Sequence, residues 1–194
     1  MRQQFWERSS FFTQKGNSML AQQVNKIKYI SQTSYDKFIN QIDFSTCKCA
    51  CGAIGRFVRH GYYLRSIKNP NKKVKLSILR VKCKSCSKTH AILHPTIIPY
   101  SQIVLFDTIK IIICKLNNKN YYNSPQANLE INEEDIVNTE KRFFKYWYER
   151  LIALISSTFE NIIEYLNKSN SIINIFRVYN KAFMQIHRGY YYLC

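Results

Sequence analysis

Cys47-Lys48-Cys49-Ala50-Cys51-Gly52 and Cys83-Lys84-Ser85-Cys86 are the two stretches that decide how this chain folds. Tetrahedral zinc takes four ligands, at about 2.3 Å when they are sulfurs, and two short turns that each present two thiolates supply them with little backbone strain. The C-x-x-C of the second turn is the usual spacing for one edge of such a site. The first turn is ambiguous, because three cysteines alternate there and two suffice. Cys49, Cys51, Cys83 and Cys86 are the predicted ligands, with Cys47 as the substitute in the first turn. Gly52 permits the tight turn that lets backbone amides face the sulfurs. His90, four residues beyond Cys86, is an alternate ligand, although a histidine at a strand start is more often a hydrogen-bonded structural residue; His94 is a weaker alternate still.

Four thiolates leave no open position for a catalytic water, so one structural Zn2+ is expected. The other readings of the cysteines fit less well. A redox C-x-x-C opens a helix and has no matching second cluster. A disulfide framework would spread its cysteines, whereas five of the seven here lie in the two turns.

Outward from the turns, Arg56–Ile67 and Lys73–Cys83 mix β-branched, aromatic and basic residues and are predicted to be two antiparallel strands. Asn69-Pro70-Asn71 supplies the turn between them, proline fixing φ and asparagine tolerating left-handed geometry. A third short strand is predicted over Thr89–Leu93, ending at Pro95.

Beyond Pro99 the apolar spacing becomes helical. Ile103, Phe106, Ile109, Ile113 and Leu116 form one stripe, with Ser101 as the predicted N-cap. Asn117–Pro125 is a polar connector. Asn132 is the predicted cap of a further helix whose first turn holds Glu133, Glu134 and Asp135, complementing the helix dipole. Its stripe runs on through Phe143, Phe144, Trp147 and Leu151 to Leu166, with Ser156 and Ser157 as the expected break. Trp147 and the paired phenylalanines are expected in the core. A last helix is predicted over Ile172–Ile186. Before the cysteines, helical spacing covers Met19–Ile30, and Ser34 is expected to cap a short helix through Phe38 and Ile42. Residues 1–18 show no period, so Met19 is read as an alternative start of translation.

These readings amount to an α+β chain: an N-terminal helical segment over 1–43, a zinc ribbon over 44–99, and a helical domain over 100–194 in which a helix-turn-helix is a candidate motif.

Charge points to a partner. The formal net charge is +17, and from Phe44 to Phe106 there are twelve Lys or Arg residues and no Asp or Glu. Such a field favours polyanions. Arg56, Arg59, Arg65, Arg80 and Lys82 on the ribbon, with Lys141, Arg142 and Lys145 on the Asn132-capped helix, are the candidate nucleic-acid contacts, since arginine grips phosphate with paired hydrogen bonds. Tyr62 and Tyr63 are read as covering the hairpin rather than stacking on bases.

Other classes are disfavoured. The apolar run Ile109–Leu116 is broken by Lys110 and Lys115 and is far shorter than the ~18 to 20 residues of a membrane span. No signal-peptide hydrophobic region is present, so a reducing, cytoplasmic location is expected. Magnesium-dependent nucleases need converging carboxylates. Most of the twelve acidic residues instead crowd into Glu130–Glu164, and catalysis is not expected.

Three stretches carry a resemblance: His60-Gly61-Tyr62-Tyr63-Leu64-Arg65, Arg80–Leu93 around the second turn, and Ile98-Pro99-Tyr100-Ser101-Gln102. More loosely, it extends to Trp147 and Phe183–Arg188. Here the chain resembles a family of uncharacterised bacterial zinc-ribbon proteins, itself similar to the N-terminal zinc-binding region of insertion-sequence transposases. The resemblance implies a zinc ribbon, a helical region and an association with transposon-like DNA. Departures are the additional Cys47 and His94, which stands where an apolar residue is expected. The reading taken forward is a non-catalytic zinc-ribbon protein that binds double-stranded DNA, with a protein partner or homodimer also considered; an RNA-binding or protein-interaction ribbon is the alternative.

Overall fold

The computed structural model describes residues 29–94, 96–149, 152 and 162–167. The helices expected over 19–30 and 172–186, and the break expected at Ser156 and Ser157, fall wholly or almost wholly outside these residues. The described fold is α+β. Helix α1 (Gln32–Asn40) precedes strands β1 (Phe57–Asn69), β2 (Lys72–Cys83) and β3 (Thr89–Ala91). Helix α2 (Leu105–Leu116), a 3-10 turn (Tyr121–Asn123), α3 (Glu133–Tyr146) and α4 (Ile162–Asn167) follow.

The strands form one antiparallel sheet in the order β1-β2-β3. The hairpin closes through Pro70 and Asn71, with Asn69 opposite Lys72 and Asn71 left-handed at φ 66°. At the other end Phe57 faces Cys83, which carries the chain into the second cysteine turn. One irregularity interrupts the register: Arg59 pairs with Val81 and Gly61 with Arg80, so His60 is an extra residue in β1, a β-bulge.

β3 covers only three residues of β2's outer edge. Helix α1 continues where it stops: the Ser77 N–H donates to Gln32 Oε1 at 2.8 Å and the Leu79 N–H to Tyr35 Oη at 2.9 Å. Tyr35 in turn donates to the Ile92 carbonyl at 2.8 Å, and its ring is fully buried with Phe38, Ile39, Ile67, Leu76, Ile78 and Leu79. Side chains of a helix thus satisfy strand amides that would otherwise invite another chain.

Several caps differ from expectation. Ser31 caps α1, and Ser34 sits three residues on as the other half of a capping box. Helix α2 starts at Leu105 after Val104, with no side-chain cap. Ser101 instead accepts the Ile103 N–H at 3.0 Å. The reason is tertiary: Ile103 and Val104 remain extended to bridge Lys68 and Ile97 before the helix begins. Asn132 caps α3 as its sequence implied, in a box with Asp135. The helix stops at Tyr146, where Trp147 leaves helical geometry (φ −124°, ψ −33°) with its indole buried. Phe143 is core, whereas Phe144 is exposed.

A polar node joins the sheet to the helices. Asn128, fully buried, donates to the Lys68 carbonyl (3.0 Å) and to Asp107 (2.8 Å) from its amide. Its Oδ1 accepts the Glu130 N–H, and its own N–H donates to Tyr121 Oη. Lys68 pairs with Asp135 nearby. Burial pushes the Asp107 carboxyl above its ordinary range.

His94 is also core: its ring meets Phe38 edge-on at 4.8 Å, and Nδ1 accepts the Thr96 N–H and contacts its hydroxyl at 2.8 Å. Burial pushes the ring down from 6.5 to about 4. Between those values the unfolded chain binds a proton that the folded chain refuses, so this ring makes stability fall as pH drops through that window, by about 3 kcal/mol in all. His94→Leu removes the titration. The difference in unfolding free energy between wild type and His94→Leu, from denaturant melts above pH 6.5 and near pH 4, is expected to shrink or reverse in acid. Acid-labile features shared by both proteins cancel in that difference, and a constant difference would overturn the assignment.

Candidate metal centre

Between Phe44 and Phe57 almost every residue is exposed; Cys47 and Cys49 are the buried ones. Apolar packing therefore cannot hold this segment, and its order has to come from local turns and from its sulfurs.

The first turn is built stepwise. Asp43 accepts the Ser45 N–H (2.9 Å) and hydroxyl (2.6 Å), which holds its carboxyl below the ordinary value. The Cys49 N–H then donates to the Ala53 carbonyl at 2.7 Å, while the Gly52 N–H returns to the Cys49 carbonyl at 2.8 Å. Gly52, at φ +90°, makes that return possible, and Lys48 bridges Ile54 to complete a miniature hairpin. Gly55 carries a stricter demand. It is left-handed at φ +65°, its N–H donates to the Cys47 carbonyl, and a Cβ there would lie 2.6 Å from the Ser45 carbonyl oxygen.

In the second turn, the Ser87 N–H donates to the Cys83 carbonyl and the Cys83 N–H to the Lys88 carbonyl, both at 2.9 Å. Ser87 takes the left-handed conformation (φ 58°) that closes the knuckle. The Lys84 N–H donates to the Arg56 carbonyl at 2.7 Å, pinning this turn to the start of β1.

The two turns face each other. The sulfurs of Cys49, Cys51, Cys83 and Cys86 all lie within 4.8 Å of one another. Cys49 and Cys86 are 3.5 Å apart, and Cys51 and Cys83 are 3.8 Å apart. A tetrahedron with metal–sulfur bonds of about 2.3 Å has an edge of about 3.8 Å, whereas a disulfide would need about 2.05 Å. The set therefore has the dimensions of a four-thiolate metal site. Among the described residues it is the one group of three or more Cys, His, Asp or Glu whose donor atoms converge in this way.

The protonation of the bare thiols fits the same use. The Cys86 N–H at its sulfur, with the Ser85 N–H and the Cys49 and Cys86 thiols, outweighs burial and brings Cys83 down to about 6. At Cys51 the Ala53 N–H favours the thiolate, but hydrogen bonding with Cys49, burial, and the Cys86 and Cys83 thiols push it up to about 12. One thiol thus ionises readily while its neighbour, hydrogen-bonded to it, keeps its proton. A bound dication removes that difference, because coordination deprotonates thiols outright.

Cys47, the alternate ligand, is outside the cluster: its thiol contacts the Asp43 carbonyl at 3.4 Å, because the miniature hairpin turns it away from Cys49 and Cys51. His90 is also outside. It is buried, its Nε2 lies 3.8 Å from the Cys49 sulfur, and its ring meets Phe57 edge-on at 5.7 Å, so it stands behind one ligand rather than among them.

The candidate nucleic-acid residues are dispersed. Arg56, Arg59 and Arg80 are exposed and Lys82 is half-buried. Arg65 is held at the sheet's far end, donating to the Ile98 and Ser101 carbonyls at 2.6 and 2.8 Å. On α3, Lys141 and Lys145 are exposed, and Arg142 contacts the Tyr100 carbonyl at 3.3 Å. The connector between α2 and α3 occupies 117–132 and includes the 3-10 turn, so these helices lack the short turn of a helix-turn-helix. No helix among the described residues is long and apolar enough to cross a membrane.

Residues 47–128, which run from the first cysteine turn through the sheet and α2 to Asn128, match the family described as Domain of unknown function (DUF6431). No curated protein and no solved structure matches the chain.

Two expectations follow from this geometry. Elemental analysis of the purified protein should find one metal ion per chain, absent from Cys49→Ser, Cys51→Ser and Cys83→Ser and retained in Cys47→Ser. Its absence from Cys47→Ser with retention in Cys51→Ser would exchange their assignments. Gly55→Ala should destabilise the fold by at least about 2 kcal/mol, since left-handed strain and the Ser45 overlap add. Gly52→Ala, strained in backbone but facing open space, should cost less; denaturant melts of the two variants compare them, and the reverse order would refute the close-approach account.

Proposed function

We propose that this protein is a DNA-binding module organised by one structural zinc ion, associated with a transposon-like mobile element and without catalysis of its own. Zinc is the natural occupant of four converging thiolates, since it favours tetrahedral sulfur sites and needs no open position for a structural role. Its contribution is to tie Cys49 and Cys51 to Cys83 and Cys86; everything presented to a partner comes from the chain.

The observation that carries the reading is the uncompensated charge of the ribbon. Of the twelve cations between Phe44 and Phe106, Lys68 is the one in an ion pair among the described residues, and Arg56, Arg59, Lys72, Lys73, Lys75, Arg80, Lys84 and Lys88 are exposed. The lysines flanking the ligands, Lys48, Lys84 and Lys88, also favour thiolate locally. Arg59, Lys72, Lys73 and Lys75 lie away from the cysteine turns in sequence and have no such task, so phosphate neutralisation is the better account of them. The mobile-element association rests on the resemblance of the Arg80–Leu93 and Ile98–Gln102 stretches to the transposase zinc-binding region.

Fluorescence anisotropy with labelled DNA over a range of salt tests the reading. Affinity should fall linearly with salt on logarithmic axes, and Arg59→Ala with Arg80→Ala should flatten the slope by about one for each phosphate no longer neutralised. A salt-independent affinity, or none, would reject DNA binding. Preference for DNA from the ends of the genetic segment that encodes the protein, over scrambled DNA, tests the mobile-element association.

A further inference from the structure

Phosphate neutralisation explains the cations but not the apolar residues among them. Tyr62 and Leu64 are 52% and 70% exposed, in the middle of the sheet's longest strand. The bulge decides what surrounds them. Residues paired across a sheet share a face, as do alternate residues along a strand. Arg59 pairs with Val81, Tyr62 with Leu79, Leu64 with Ser77 and Ser66 with Lys75. Val81, Leu79, Ser77, Lys75 and Lys73 alternate along β2, so Arg59, Tyr62 and Leu64 occupy one face with Lys75 and Lys73. By strict alternation Arg59, three residues before Tyr62, would fall on the opposite face; the bulge takes up His60 as the additional residue and returns Arg59 to the face of Tyr62. On this shared face Leu79 and Val81 are buried, whereas the β1 side stays open.

We propose that the strip of Arg59, Tyr62, Leu64, Lys73 and Lys75 receives the unpaired bases of a single-stranded nucleic acid, with Tyr62 as the stacking platform. The proposal rests on the nucleic-acid reading above and narrows it. A duplex keeps its base faces inside its own stack, so an exposed ring flanked by cations has full use only against an unpaired strand, whose bases lie flat on aromatic groups while its phosphates meet Arg and Lys. Leu64, two residues along at about 7 Å, extends the apolar floor. The absence of any Asp or Glu from Phe44 to Phe106 suits a polyanion and no cationic partner. Tyr62 lies at the surface, so replacing it leaves the metal turns and core intact.

The test uses the full chain with metal bound, against a mixed-sequence single-stranded DNA, the RNA of the same sequence, and the corresponding DNA duplex. Wild type is expected to bind the single strand more tightly than the duplex. Tyr62→Ala should weaken single-strand binding about tenfold, leave duplex affinity, metal content and melting unchanged, and be rescued by Tyr62→Phe, which keeps the ring. An effect on DNA and RNA alike, or on one of them, supports the face and identifies the sugar it admits. Equal binding of single strand and duplex with no effect of Tyr62→Ala would overturn this inference while leaving the DNA-binding reading standing. No binding of any of the three polymers would overturn both.

Discussion

Everything at the open end of the hairpin depends on bringing four sulfurs together. Between Phe44 and Phe57, which pack on the core, the segment buries little apolar surface besides Cys47 and Cys49, so the roughly 25 cal/mol per Å2 that apolar burial supplies elsewhere in the chain contributes little to it. Structural zinc sites supply about 10 to 16 kcal/mol in small peptides, so a metal ion held by these four sulfurs would be ample for a segment of this size. The turns prepare that interaction with backbone geometry alone: left-handed residues at Gly52, Gly55 and Ser87 and amides facing Cys51 and Cys83 put the sulfurs near tetrahedral spacing. Once tied, Cys83 fixes the end of β2. The register from Phe57 opposite Cys83 to Asn69 opposite Lys72 then follows, apart from the single slip at His60.

The other end is held by different means. Asn128 uses its amide hydrogens, its carbonyl oxygen and its backbone N–H on four partners drawn from β1, α2, the 3-10 turn and its own loop. A buried asparagine so engaged is costly to displace, because any shift leaves polar groups without water. Asp135 has two roles of the same kind. It closes the α3 capping box and pairs with Lys68, whose ammonium would be costly to bury alone. Sheet and helices are therefore joined through polar contacts of defined geometry rather than through apolar area alone.

What could be read in the sequence follows the range of the interactions. The converging cysteines, the Pro70-Asn71 turn, the helical character of α2 and the Asn132 cap depend on residues a few positions apart or on simple knuckle spacing, and each carries a local signature. The expected stripe of α2 does not match its buried face, since Phe106, Ile113 and Leu116 are only half-buried while Leu105, Thr108, Ile111 and Ile112 are buried. Ser34 and Ser101 misled: Ser34 is the inner half of a capping box that Ser31 opens, and Ile103 and Val104 stay extended as bridges to Lys68 and Ile97 before α2 begins. Arg65 looked like a phosphate contact, although two carbonyls some thirty-five residues away hold it. Asn128 and Asp107 had no local mark, because their meaning lies in what meets them. The polar face could not be read either, since one additional residue at His60 decides which side of the sheet Arg59 takes.

That bulge and the charge around it also answer a hazard. β1 is an edge strand of thirteen residues, a template for pairing with another chain. Bulges and inserted cations blunt such edges, and Arg59 beside the His60 bulge is placed to do so, while at the far end the Lys68 N–H is taken by the Gln102 carbonyl. Edge protection accounts for the cations and the irregularity, but it argues against Tyr62 and Leu64, which raise the tendency to associate. A residue pair that works against the defence of its own strand has to be balanced by a gain elsewhere. The face that the bulge assembles, an exposed ring and an aliphatic side chain ringed by cations, has the chemistry to supply that gain by binding a polyanion with flat, unpaired bases.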